Sequence, residues 1–125
     1  MSTFRKGSTL VVLVALVALV AAVAAFGGSA QQTATTTVAV TAGKPSELKF
    51  TLSKTTILKG TGIFKVTNKG KISHDFKIAG KKTPSLTAGK VSTLRVIFTK
   101  AGKYPYLCTL PGHAAAGMKG VLVVK

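Results

Sequence analysis

The chain has 125 residues, 46% of them hydrophobic, and carries 18 Lys and Arg against two acids, a formal net charge of +16 at pH 7. This length allows one domain plus an appendage, and the single Cys excludes an intramolecular disulfide. Nucleic acid is a poor partner, because the lysines are spread along the chain and few aromatics interleave with them.

Residues 1–7 contain Arg5 and Lys6 and no acid, and 9–25 is an unbroken run of apolar residues and one Thr. Gly28-Ser29-Ala30 then places small residues at the −3 and −1 positions of a cleavage site. This is the layout of a secretory signal peptide cut after Ala30. An uncleaved signal anchor is the alternative, because the run is near the lower limit for spanning a bilayer. No Cys follows the run, which argues against a lipid-modified N-terminus. The expected organisation is a signal peptide or anchor over 1–30, a flexible tether over 31–37 and a folded domain over 38–125. Export would place that domain in the periplasm or on the outer face of the cytoplasmic membrane, where a lone Cys needs an explanation such as metal ligation.

From Val38 short alternating runs are broken by turn signals. The segments 36–41, 47–52, 62–67, 74–78, 90–99, 103–108 and 121–124 each read as a strand. The stretch 80–89, with Pro84 and Gly89, reads as a polar connection. No helical period of any length follows Ala30, so an all-β, antiparallel sandwich or barrel is expected. Phe50, Phe64, Phe76, Phe98, Tyr104 and Tyr106 supply most of the large side chains for a core of modest size.

From Gln31 onward there are sixteen Lys and Arg against Glu47 and Asp75, a net +14. Regular spacing, as in Lys44, Lys49, Lys54 and Lys59, reads as solvated surface that blunts sheet edges. The alternative is steering toward an acidic partner or an anionic membrane surface.

The chemistry concentrates in 104–120. Cys108, His113 and Met118 stand at i, i+5 and i+10, so one loop can present a thiolate, an imidazole and a thioether to one point. His74 lies upstream, and the only other Met is the initiator. A Cys, two His and a weak Met form the ligand set of a blue-copper electron-transfer site. Any one of these residues alone would read as a core Cys, a surface His or a gap-filling Met. Together, with none left over, they read as one metal centre.

These residues resemble the cupredoxins, the small blue-copper proteins of the plastocyanin and azurin type. The resemblance covers 38–125. It rests on Ser73-His74-Asp75-Phe76 and on Tyr104-Pro105-Tyr106-Leu107-Cys108 running into Pro111-Gly112-His113 and Gly117-Met118-Lys119-Gly120. The loop between Cys108 and His113 is longer than in plastocyanin and closer to the auracyanin-like and azurin-like forms. The resemblance implies a Greek-key β-sandwich with one Cu(I)/Cu(II) ion near one end and single-electron shuttling. It implies a trigonal plane of His74, Cys108 and His113 with Met118 as the long axial ligand. The family often has Asn after the first His; here Asp75 stands there, and its carboxylate is expected to accept a hydrogen bond from the Thr109 N–H or hydroxyl. Pro111, Gly112, Ala114 and Ala115 around His113 form the expected docking patch for a redox protein or membrane electron-transfer complex. A monomer is expected, with membrane association possible through 1–30.

Rival readings are weaker on residue grounds. A copper chaperone or storage protein would use Met-rich or paired Cys ligands for release. Copper enzymes need further His. A Cys–His nucleophilic enzyme needs an orienting residue, and none is evident. Zinc would not explain Met118.

Overall fold

Burial alternates along Ala34–Ala42, with Val38, Val40 and Ala42 turned inward, and this period of two marks the first strand. The computed structural model describes residues 33–125, so the predicted signal or anchor segment lies outside the described residues. The strands are β1 (Ala34–Ala42), β2 (Phe50–Leu52), β3 (Thr56–Ile57), β4 (Gly60–Asn68), β5 (Lys77–Ile78), β6 (Lys81–Lys82), β7 (Val91–Phe98), β8 (Gly102–Leu107) and β9 (Lys119–Val124). They form a four-stranded sheet, ordered β2-β1-β4-β7, and a five-stranded sheet, ordered β3-β9-β8-β5-β6.

The inward residues of the two sheets meet in one core. Val38 and Val40 of β1, Phe64 and Val66 of β4, and Val96 and Phe98 of β7 come from the first sheet; Ile78, Tyr106, Leu122 and Val124 come from the second. Phe76, just before β5, sits between Phe50, Phe64 and Tyr106, with ring centroids 5.4–5.5 Å away. Burying these side chains is the main favourable term in a domain this small. Phe50 and Tyr104 are only partly buried and pack against the margin of the core.

Several expectations need correction. The pairing is not wholly antiparallel: β1 runs parallel to β4 along its full length, and β3 parallel to β9. Alternation tells which face a side chain takes, not the direction of the neighbouring strand. β1 begins at Ala34, inside the predicted tether, because Ala34 to Thr37 pair with Gly60 to Ile63 of β4. Small polar residues need no burial of their own when the neighbouring backbone fills their hydrogen bonds. The strand read at 74–78 shrinks to Lys77–Ile78, with His74 held only by an isolated bridge to Leu86. The connection at 80–89 contains β6 and the buried Leu86. Residues 47–49 also lie outside β2, which starts at Phe50.

Candidate metal centre

Loops leaving the C-terminal ends of β1, β4 and β8 converge on the site. The loop after β4 is held from beneath by buried Asn68. Its side-chain amide donates to the carbonyls of Ile72 at 2.8 Å and Leu86 at 2.7 Å, and its Oδ1 accepts the Gly70 N–H at 2.8 Å. The His74 N–H donates to the Leu86 carbonyl at 3.0 Å, and the Leu86 N–H donates back at 2.7 Å. A backbone fixed on both sides gives the His74 ring little freedom.

The β8–β9 loop closes on itself. The Cys108 N–H donates to the Met118 carbonyl at 3.1 Å, and the Met118 N–H to the His113 carbonyl at 3.0 Å. The Cys, His and Met of the motif are thus tied to one another through their own main chain. Gly112 and Gly117 have φ of 77° and 109°, the left-handed region that favours glycine. At Gly117 a Cβ would also lie 2.6 Å from the Lys49 Nζ.

The donor atoms meet. His74 Nδ1 is 3.3 Å from His113 Nδ1, and Cys108 Sγ is 3.4 Å from the same His113 nitrogen. The ligating atoms of His74, Cys108 and His113 all lie within 4.8 Å of one another. Met118 is fully buried and packs with Cys108 and Ala42, bordered by Leu48, Phe50 and Leu110. His74 and Cys108 are fully buried, whereas His113 is half-buried. Facing imidazole nitrogens repel unless a proton or a cation lies between them, so this donor set fits a soft or borderline metal. Burial pushes the Cys108 thiol above its ordinary range, and a metal entering the site must displace that proton.

The residues 10–124 match the family model of the cupredoxin-like domain. The chain is a member of the cupredoxin-like family. Rusticyanin from Thiobacillus ferrooxidans is 26% identical, with a TM-score of 0.63 over 73% of this chain and 77% of that one. A second structure of rusticyanin, a copper protein, is 27% identical with the same TM-score over 73% and 78% of the two chains. Auracyanin A from Chloroflexus aurantiacus, a blue copper protein, is 20% identical with a TM-score of 0.60 over 74% and 100%, a likeness of fold alone. No curated protein matches the sequence.

In this cupredoxin the residues singled out by sequence come together. Asp75 is buried, and its Oδ1 accepts the Thr109 N–H at 2.6 Å while Oδ2 accepts the Thr109 hydroxyl. The bond joins the residue after His74 to the residue after Cys108, so it locks the two donor-bearing loops together. Lys82 Nζ stands 3.9 Å from Asp75 Oδ2. Pro111, Gly112 and Ala115 are exposed and Ala114 is half-buried, all in the loop that carries His113.

Two residues escaped the sequence reading. Asn68, just beyond the strand read at 62–67, is a buried brace. Glu47 was read as the start of a strand. Its Oε1 lies 2.8 Å from His74 Nε2, and its carboxylate accepts the Lys71 N–H at 2.9 and 3.0 Å and the Ile72 N–H at 3.1 Å. The amides of Lys71 and Ile72, and then His74, hold its pKa at about 2. No local signal marks a contact across 27 residues.

Asp75→Ala leaves the two Thr109 donors without their charged acceptor. A hydrogen bond to a charged group contributes about 1.5–3 kcal/mol, so denaturant unfolding of the metal-free protein should show a loss of that order. Copper affinity should fall by roughly 10–100-fold, as for other partners behind metal ligands. Unchanged unfolding and unchanged copper titration would remove Asp75 from the account of the site.

Proposed function

We propose that this cupredoxin is a type 1 copper electron-transfer protein that shuttles single electrons between redox partners outside the cytoplasm. The observation that carries the reading is the convergence of one thiol and two imidazole nitrogens within 4.8 Å, beside a fully buried Met. His74, Cys108, His113 and Met118 would hold the metal. Copper bound there would supply a one-electron Cu(II)/Cu(I) couple, taking the electron from one partner and giving it to the next. Sulfur donors suit Cu(I), and imidazole with thiolate suits Cu(II), so one donor set serves both states. The backbone bonds within each loop keep the donors in place while the charge changes. A buried set of this kind also favours retention over release, which weighs against a chaperone or storage role.

Partner choice follows from exposure and charge. His113 is the half-buried ligand, and Pro111, Gly112, Ala114 and Ala115 would form the contact through which the electron passes. Glu47 and Asp75, the only acidic side chains, are both engaged in holding the site, so the surface offers lysines. An acidic redox protein or membrane electron-transfer complex suits that field. The apolar run at 9–25 supports export, with the domain in the periplasm or on the outer face of the cytoplasmic membrane.

The deciding experiment adds one equivalent of Cu(II) to the purified protein and records visible absorption and electron paramagnetic resonance. An intense thiolate-to-copper band with narrow hyperfine splitting is expected. A pale solution with an ordinary tetragonal signal would overturn the reading. For the partner, Ala115→Glu should slow electron exchange with an acidic redox protein by about tenfold or more at low ionic strength, within the range of steering effects. Its visible spectrum should stay as in the parent. An equal rate in stopped-flow mixing would move docking to another face.

A further inference from the structure

We propose that Glu47 is a positioning residue for the metal centre: it holds the His74 ring with Nε2 protonated and Nδ1 turned to the metal, and its charge favours the oxidised state. This rests on the copper reading above and adds a residue that the ligand motif does not contain.

The geometry points one way. His74 is fully buried, and its two nitrogens face different things: Nε2 meets the Glu47 carboxylate at 2.8 Å, and Nδ1 meets the other ligand atoms. A carboxylate that accepts N–H groups offers no proton of its own. Nε2 must then be the donor, and in a neutral imidazole Nδ1 is left with the free lone pair. The carboxylate cannot swing away easily, because the Lys71 and Ile72 amides grip it from the loop that carries His74. Gly70 makes room for it. A Cβ there would lie 2.3 Å from Glu47 Oε1 and 3.0 Å from His74 Nε2. Chain residues far apart thus supply an acceptor, a grip and a vacant space for one contact.

Among the described residues His113 has no such partner. Asp75, the other acidic side chain, is taken by Thr109. The two imidazoles are therefore unequal: the buried one is made more electron-rich by a negative charge, and the half-exposed one is not. A more basic ligand stabilises Cu(II) over Cu(I).

The test uses the copper-loaded protein and Glu47→Gln, which keeps the size and an acceptor oxygen but removes the charge. The thiolate band should persist, Cu(II) affinity should drop about 10–100-fold, and the reduction potential should rise. If Cu(I) affinity stays constant, each tenfold loss raises a one-electron potential by about 59 mV. A variant with unchanged potential and Cu(II) affinity but lower unfolding midpoint would make Glu47 a loop clasp and overturn the proposal. A second measurement needs no variant. In the reduced, diamagnetic wild-type protein, nitrogen-15 spectra should show His74 Nε2 carrying a slowly exchanging proton. A proton on Nδ1, or a freely exchanging Nε2–H, would equally overturn it. A wild-type protein without a thiolate band would instead remove the copper reading, and this inference with it.

Discussion

Cys108→Ser is expected to abolish the intense visible band and the narrow copper hyperfine splitting while leaving the domain folded. The Cys108 sulfur is the one thiol in the chain, it is fully buried, and it lies 3.4 Å from His113 Nδ1. A serine hydroxyl is a hard donor that stays protonated near neutral pH, so it supplies neither the charge-transfer transition nor the affinity of a thiolate. The main chain that shapes the loop is untouched, because the 108 N–H would still donate to the Met118 carbonyl. The apolar neighbours Ala42 and Met118 lose one contact atom, a cost of about 1 kcal/mol. The larger effect comes through linkage. A metal present at a thousand times its dissociation constant stabilises the native state by about 4 kcal/mol. Thermal unfolding with and without copper should show that gain in the parent and little of it in the variant. An undiminished band in the serine variant would mean that Cys108 is not a ligand.

Phe76→Ala is expected to cost about 3–5 kcal/mol, the range for removing a fully buried aromatic ring. Phe76 contacts Phe50 edge-on, and it packs against Phe64 and Tyr106 in tilted geometry. It therefore fastens the two sheets at the end where the ligand loops emerge. Small domains have a total stability of about 5–15 kcal/mol, so the loss is a large fraction of what holds the fold. The site should suffer too. The Phe76 N–H donates to the Thr83 hydroxyl at 3.1 Å, and the residue stands immediately after His74 and Asp75. Denaturant unfolding should show a much lower midpoint at similar slope, and copper titration a weaker site. Phe76→Leu, which fills part of the space, should lose distinctly less. A drop below about 1 kcal/mol for the alanine variant would show that the cavity collapses and the ring is not a fastener.

The donor set that converges in the structure was legible because it is an inventory. One Cys, two His and a single Met beyond the initiator leave no other partners, and three of them share one loop whose spacing is visible in the sequence. The pairing of Asp75 with Thr109 was expected from the resemblance alone, in which the residue after the first His bonds across to the residue after the Cys. Faces of strands were readable wherever large apolar residues alternate, as at Phe64 and Val66 or Val96 and Phe98.

Other features had no local mark. The parallel pairing of β1 with β4 and of β3 with β9 depends on how the chain crosses between sheets, and a period of two carries no information about direction. The strand start at Ala34 was hidden because its first residues are small and polar, and only the backbone of β4 makes them a strand. Asn68 follows the strand read at 62–67, and Glu47 reads as the start of a strand. Their roles arise from bonds to groups 18 and 27 positions away. The sequence alone determined which atoms can bind a metal, because donor chemistry belongs to the residue type. Only the tertiary structure decided which nitrogen of His74 faces inward and what holds it, because that depends on distant backbone and side-chain groups meeting in space.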